Sequence, residues 1–117
     1  LGMGWSMQNE ENYQEAIAAY EKTVSEGVRD DTGARAQFLL GECYFEKKEF
    51  EKAIIEFAKV EALYAFPDWQ SKAAYEMAQA LLRQDKKDRA REQFERLIKR
   101  YPDTNAANAA AEELKNL

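Results

Sequence analysis

Apolar residues recur along this chain at a fixed long interval, and within each interval they fall at helical steps. Ala16, Ala53 and Ala90 stand 37 residues apart, and each is followed four positions later by a ring, Tyr20, Phe57 and Phe94. Twelve positions before each Ala is a small residue, Gly4, Gly41 or Ala78, and just before that a large apolar one, Met3, Leu40 or Met77. Met7, Tyr44 and Leu81 form a fifth column, and Thr23, Val60 and Leu97 a sixth. Residue character held in six columns over three copies is the mark of a stacked repeat. Inside each copy the spacing is i, i+4, i+7, one face of an α-helix. The polar tracts between the two apolar stretches, QNEEN, EKKE and RQDKK, are long enough only for a tight helix–helix connection.

The pattern predicts helices near 1–9, 12–27, 33–47, 50–64, 69–84, 87–100 and 105–116. Thr104 reads as an N-cap after the stop signal Tyr101-Pro102, and Asp68 as a cap after Pro67. The fold class is then all-α: a single-domain solenoid of three antiparallel helix pairs, with repeats at about 1–31, 32–67 and 68–104 and a capping helix over 105–117. The small columns have a mechanical reason. Gly4, Gly41 and Ala78 are expected to face Ala16, Ala53 and Ala90 where the helices of a pair cross closely, with the ring one turn later reaching the next repeat. The final segment has a polar back, Asn108, Glu112, Lys115 and Asn116, which suits a terminal cap.

Composition narrows the chemistry. The 117 residues include five Gly and two Pro, little material for hairpins. One Cys excludes an internal disulfide, and the absence of His removes the commonest general base and metal ligand. The net charge of −5 is uneven: residues 1–33 hold seven acids against two bases, and residues 68–117 nine acids against ten bases. That balance argues against broad nucleic-acid binding. No run approaches a membrane span, and the start, LGMGW, is not a signal peptide. Lacking an initiator Met and most of a first leading helix, the chain is expected to be the C-terminal part of a longer protein.

The columns resemble the tetratricopeptide repeat, whose signature places a large apolar residue, Leu-Gly, an aromatic, a small residue, an aromatic and Pro at set positions. Leu40, Gly41, Tyr44, Phe50, Ala53 and Phe57 match it, as do Met3, Gly4, Met7, Tyr13, Ala16 and Tyr20, and then Met77, Ala78, Leu81, Ala90, Phe94 and Pro102. Three departures stand out. The period exceeds the family's unit of about 34 residues. Glu11, Lys48 and Asp85 occupy the turn position where glycine is common, and Lys87 replaces the aromatic of Tyr13 and Phe50. The longer period, with Tyr101-Pro102-Asp103 and Phe66-Pro67-Asp68 between repeats, is similar to a bacterial envelope subgroup that includes the TolA-binding cell-division coordinator. That narrower likeness implies the periplasm or cell envelope; the residues themselves leave the cytoplasm open.

The family resemblance implies that the first helices of successive pairs line a concave groove for another polypeptide. The groove residues it points to are Trp5, Phe38, Glu42, Phe45, Tyr75, Gln79, Leu82 and Arg83, a mixed aromatic and polar trough; Phe38, Tyr75 and Leu82 also fit a reading in which they only complete the core. Family members that clamp acidic chaperone C-termini would need Lys or Asn at Leu1, Trp5, Leu39, Lys72 and Glu76; only Lys72 fits. The basic stretch KKDRAREQFERLIKR, with Lys86, Arg89, Lys99 and Arg100, reads as the solvated face of a helix, Cys43 as a small buried hydrophobe, and Trp69 as packing between pairs. With no phosphate loop, Cys/His pair or metal spacing, the expectation is a non-enzymatic protein-interaction module without cofactor. The alternatives are a self-assembly module working through its open N-terminal end, or a docking domain of an enzyme lying upstream.

Overall fold

The computed structural model describes the backbone of residues 2–117 and the side chains from Asn12 onward. Six helices follow one another: α1 (Gly2–Ser25), α2 (Asp31–Glu46), α3 (Phe50–Leu63), α4 (Pro67–Arg83), α5 (Lys87–Arg100) and α6 (Asn105–Lys115), with no strand among the described residues. The fold is an all-α helical-repeat solenoid. Each helix packs on the next along the chain, and in addition α2 touches α4 and α4 touches α6.

Local chemistry sets the helix ends. The Asp30 carboxylate accepts from the Gly33 N–H at 2.8 Å and caps α2. Thr104 caps α6 as expected, its hydroxyl accepting from the Ala107 N–H at 3.1 Å. Asp68 does not cap α4. Phe66 takes the cap position in an extended conformation without a side-chain bond, and Pro67 opens the helix. The residue before a proline is driven out of the helical region, so the boundary falls two residues earlier than a cap at Asp68 requires.

The two hairpin turns are copies of one device. Lys48 and Asp85 sit at φ 65 and 62, in the left-handed region. The N–H groups of Lys48 and Glu49 donate to the carbonyls of Phe45 and Tyr44, and those of Asp85 and Lys86 donate to Leu82 and Leu81, all at 2.9–3.0 Å. This pairing of 5→2 and 6→1 bonds satisfies the last carbonyls of α2 and α4 and reverses the chain. A glycine is therefore not needed for the turn, only a residue held in the left-handed conformation.

The expected first hairpin is absent. Where helices 1–9 and 12–27 were to meet, α1 runs unbroken, and Glu11, the register equivalent of Lys48 and Asp85, lies in its midst. Gln8, Glu10 and Glu11 are good helix formers and no Gly or Pro interrupts them, so nothing local compels a turn. Two helix pairs, α2/α3 and α4/α5, realise the repeat; the first is one long helix.

The small column works differently from the crossing of small on small. A methyl group added at Gly41 would stand 2.7 Å from the Phe57 ring, so it is the aromatic that covers the glycine within the pair. The same ring packs with Ala73 of α4, which ties one pair to the next as expected. Ala78 and Phe94 are buried together in the cluster that joins α4, α5 and α6.

Candidate functional site

The solenoid has an inner and an outer side because its first and second helices pack differently. The backbones of α2, α4 and α6 approach one another in succession, whereas α3 and α5 stay apart among the described residues. Only long side chains bridge them: Glu61 of α3 accepts from the Tyr101 hydroxyl at 2.8 Å and lies 3.5 Å from Arg96. Helices that crowd on one side and splay on the other curve the stack, with α2, α4 and α6 on the concave wall.

Glu42, Phe45 and Arg83 fall on this wall where α2 meets α4. The Arg83 guanidinium stacks over the Phe45 ring at 5.4 Å, and Phe45 meets Phe50 edge-on at 5.2 Å. Leu82 is half-buried against the α4–α6 core. Tyr75 and Gln79 join α4 to α6: the Tyr75 hydroxyl donates to the Glu113 carboxylate at 3.0 Å, and the Gln79 amide donates to the same oxygen at 2.8 Å. Both are partly spent on holding the cap. Phe38 is a correction. It is 8% exposed, with the rings of Phe57 and Trp69 each 5.4 Å away, and belongs to the core. Trp69 covers it, and also donates its indole N–H to Asp31 at 2.7 Å, so it does pack between pairs. The side chain of Trp5 lies outside the described residues.

Beside Glu42 the wall holds Lys72, Glu76 and Glu113, which the groove columns did not single out. Burial, with Glu42 and Glu46 nearby, pushes the Glu76 carboxyl up to about 7. Glu42 is raised by burial and by Glu46, with Lys72 opposing. Lys72 itself lies 5.0 Å over the Trp69 ring. Glu113 stands 37 residues past Glu76, and Glu76 37 past Leu39; that column mixes an apolar residue with two acids, so hydrophobic pattern alone passes over it.

The Cys43 thiol is buried and pushed up by that burial and by Glu42 and Glu46, the opposite of an activated nucleophile. No group of His, Cys, Asp and Glu fit to hold a metal occurs among the described residues. No helix among them is long and apolar enough to cross a membrane. On the outer side, α5 carries a shallow hollow lined by Glu92, Glu95, Arg96, Lys99 and Arg100, charges of both signs.

Two sequence profiles described as tetratricopeptide repeat match the chain, one over residues 1–68 and the other over 72–104. The first spans α1 to α3 and the second α4 and α5, and they give no support to the narrower likeness to envelope proteins. No curated protein matches the chain in sequence. The profiles, the repeated columns and the curved stack agree, and the chain belongs to the tetratricopeptide repeat family.

Proposed function

We propose that the wall formed by α2, α4 and α6 docks a segment of a partner polypeptide and performs no chemistry of its own. Repeats of this family generally mediate protein–protein interaction. The observation that carries the reading is the half-buried row of Glu42, Phe45, Glu76 and Leu82 beside Arg83 on one continuous inner surface. Charged groups already half-stripped of water cost less to bury again under a partner, and they reward one that supplies the opposite charge. The matching segment brings an apolar side chain to Phe45 and Leu82 and a cation to the three carboxylates Glu42, Glu46 and Glu76.

The test is selection of displayed peptides on the wild-type chain, followed by a counter-screen. Glu42→Lys with Glu76→Lys should abolish binding of the selected peptides, which should be enriched in Lys or Arg. Lys99→Glu with Arg100→Glu, on the outer side, should leave it unchanged. Peptides that ignore the inner pair and respond to the outer one would overturn the reading.

A further inference from the structure

We propose that the occupant of the inner wall is an amphipathic helix lying along α4 in the opposite direction, and that it presents an acid, a base seven residues later and a second acid four residues after that. This rests on the docking reading above and adds the partner's conformation, direction and charge order.

The first observation is a charged stripe on one helix. Lys72, Glu76 and Arg83 of α4 are four and then seven residues apart. At about 100° per residue they fall within about 40° of one another, and they stand about 6 and about 10.5 Å apart along the axis. All three act on α2: Lys72 on the Glu42 carboxyl, Glu76 with Glu42 and Glu46, and Arg83 over the Phe45 ring. The stripe therefore faces the inner wall and reads cation, carboxyl, cation.

The second observation is that the cations are uncompensated. Lys72 sits over Trp69 at 5.0 Å and Arg83 over Phe45 at 5.4 Å. Among the described residues neither lies within ion-pair distance of a carboxylate, although Glu42, Glu46 and Glu76 crowd nearby. A ring face attracts a cation without cancelling its charge. Both cations are exposed and Glu76 is half-buried, so a partner on this wall meets all three.

The spacing selects a helix over a strand. An extended segment beside α4 rises about 3.3 Å per residue, so its matching groups would stand about two and about three residues apart. Side chains alternate along a strand, and the third group would point away from the wall that the first two face. A helix has the same rise as α4, and residues seven and four apart share one of its faces. Direction follows from the stack. The chain reverses twice between α2 and α4, so these helices run the same way and their dipoles point together. An occupant running against them is favoured. Its first acid then meets Arg83, its base meets Glu76 and its last acid meets Lys72.

Fluorescence anisotropy with the 117-residue chain and three labelled helical peptides tests this. All three share one alanine-rich frame, two glutamates, one lysine, and leucines beside the first charge to meet Phe45 and Leu82. One has the proposed order and spacing, the second exchanges the two spacings, and the third puts the lysine first. The first should bind about tenfold tighter than either of the others. Arg83→Glu, with its fold checked by circular dichroism, should abolish that preference. Changing the peptide's first acid to lysine should restore binding to this variant, and changing the last acid should not. Failure of the first peptide to bind, equal binding of the first two, or rescue through the last acid overturns the proposal. Displayed peptides that lose binding with Glu42→Lys and Glu76→Lys yet lack the spacing would also overturn it while leaving the docking reading in place. The lack of any binder sensitive to that pair would remove both.

Discussion

The two ends of this solenoid are written in the same columns and packed differently. At the C-terminal end Ala90 and Phe94 are fully buried, sealed by Ala107 and Ala110 of α6. At the N-terminal end their equivalents Ala16 and Tyr20 are only half-buried, grouped around a small cluster of Ile17, Leu40 and Cys43. A column is thus a readiness to be buried, and the neighbour completes it. In a stack where each unit contacts only its neighbours, stability is the sum of interfaces, and an unfilled interface is felt locally.

The comparison breaks most openly at the ring column. Phe94→Ala should destabilise the chain by about 3–5 kcal/mol, the usual cost of emptying a sealed aromatic site. Tyr20→Ala should cost about 1–2 kcal/mol, in proportion to the surface it hides. Urea unfolding of the two variants reads the difference. Equal losses would mean that the two ends are packed alike.

Next is the small column. Gly41→Ala pushes a methyl group into the fully buried Phe57 ring and should cost about 1–3 kcal/mol. Ala78, one period on, already carries that methyl in the cluster with Phe94, so Ala78→Gly should cost about 1–2 kcal/mol, from helix propensity and the lost burial of one methyl. Thermal unfolding of the two variants checks whether the pairs have adjusted separately to one atom.

Much of this is legible in the sequence. The span of α5, the cap at Thr104 and the burial of Phe57, Phe94 and Cys43 follow from periodicity and short-range chemistry. What was not legible depends on neighbours or on competition between near-equal local states. Phe38 lies one step off the core column and is core only because Trp69, far along the chain, closes over it. Glu76 and Glu113 carry no apolar signal, and their role emerges only when α2, α4 and α6 stand side by side. The unbroken α1 reflects a tract, QNEEN, equally readable as turn or helix.

The crowding of carboxyls on the inner wall gives a pH test. Glu76 titrates near 7 in the folded chain, against an ordinary value of 4.5. Between those values the folded state holds more protons than the unfolded one, so stability falls as pH rises through that window. A shift of this size corresponds to about 3 kcal/mol, and partial solvent exposure reduces it to about 1–2 kcal/mol. Glu76→Gln should therefore raise stability at pH 8, leave it nearly unchanged at pH 4, and flatten the slope between. A slope unaltered by the substitution would place the proton uptake elsewhere.

The smallest effect is the most discriminating, because one substitution should change sign along one column. Lys48→Gly relieves a side chain held at φ 65, a conformation that costs about 1–2 kcal/mol; part of that gain is lost to glycine's greater freedom when unfolded, leaving roughly 0.5–1 kcal/mol of stabilisation. Asp85→Gly should give less, since a short polar side chain tolerates that region better than Lys does. Glu11→Gly acts on a helical residue and should remove about 1 kcal/mol from α1. Measured by thermal unfolding and helical circular dichroism, gain at 48 and 85 with loss at 11 would show that the repeat's turn is written identically at three places and executed at two. Gain at all three would mean that the first hairpin closes after all.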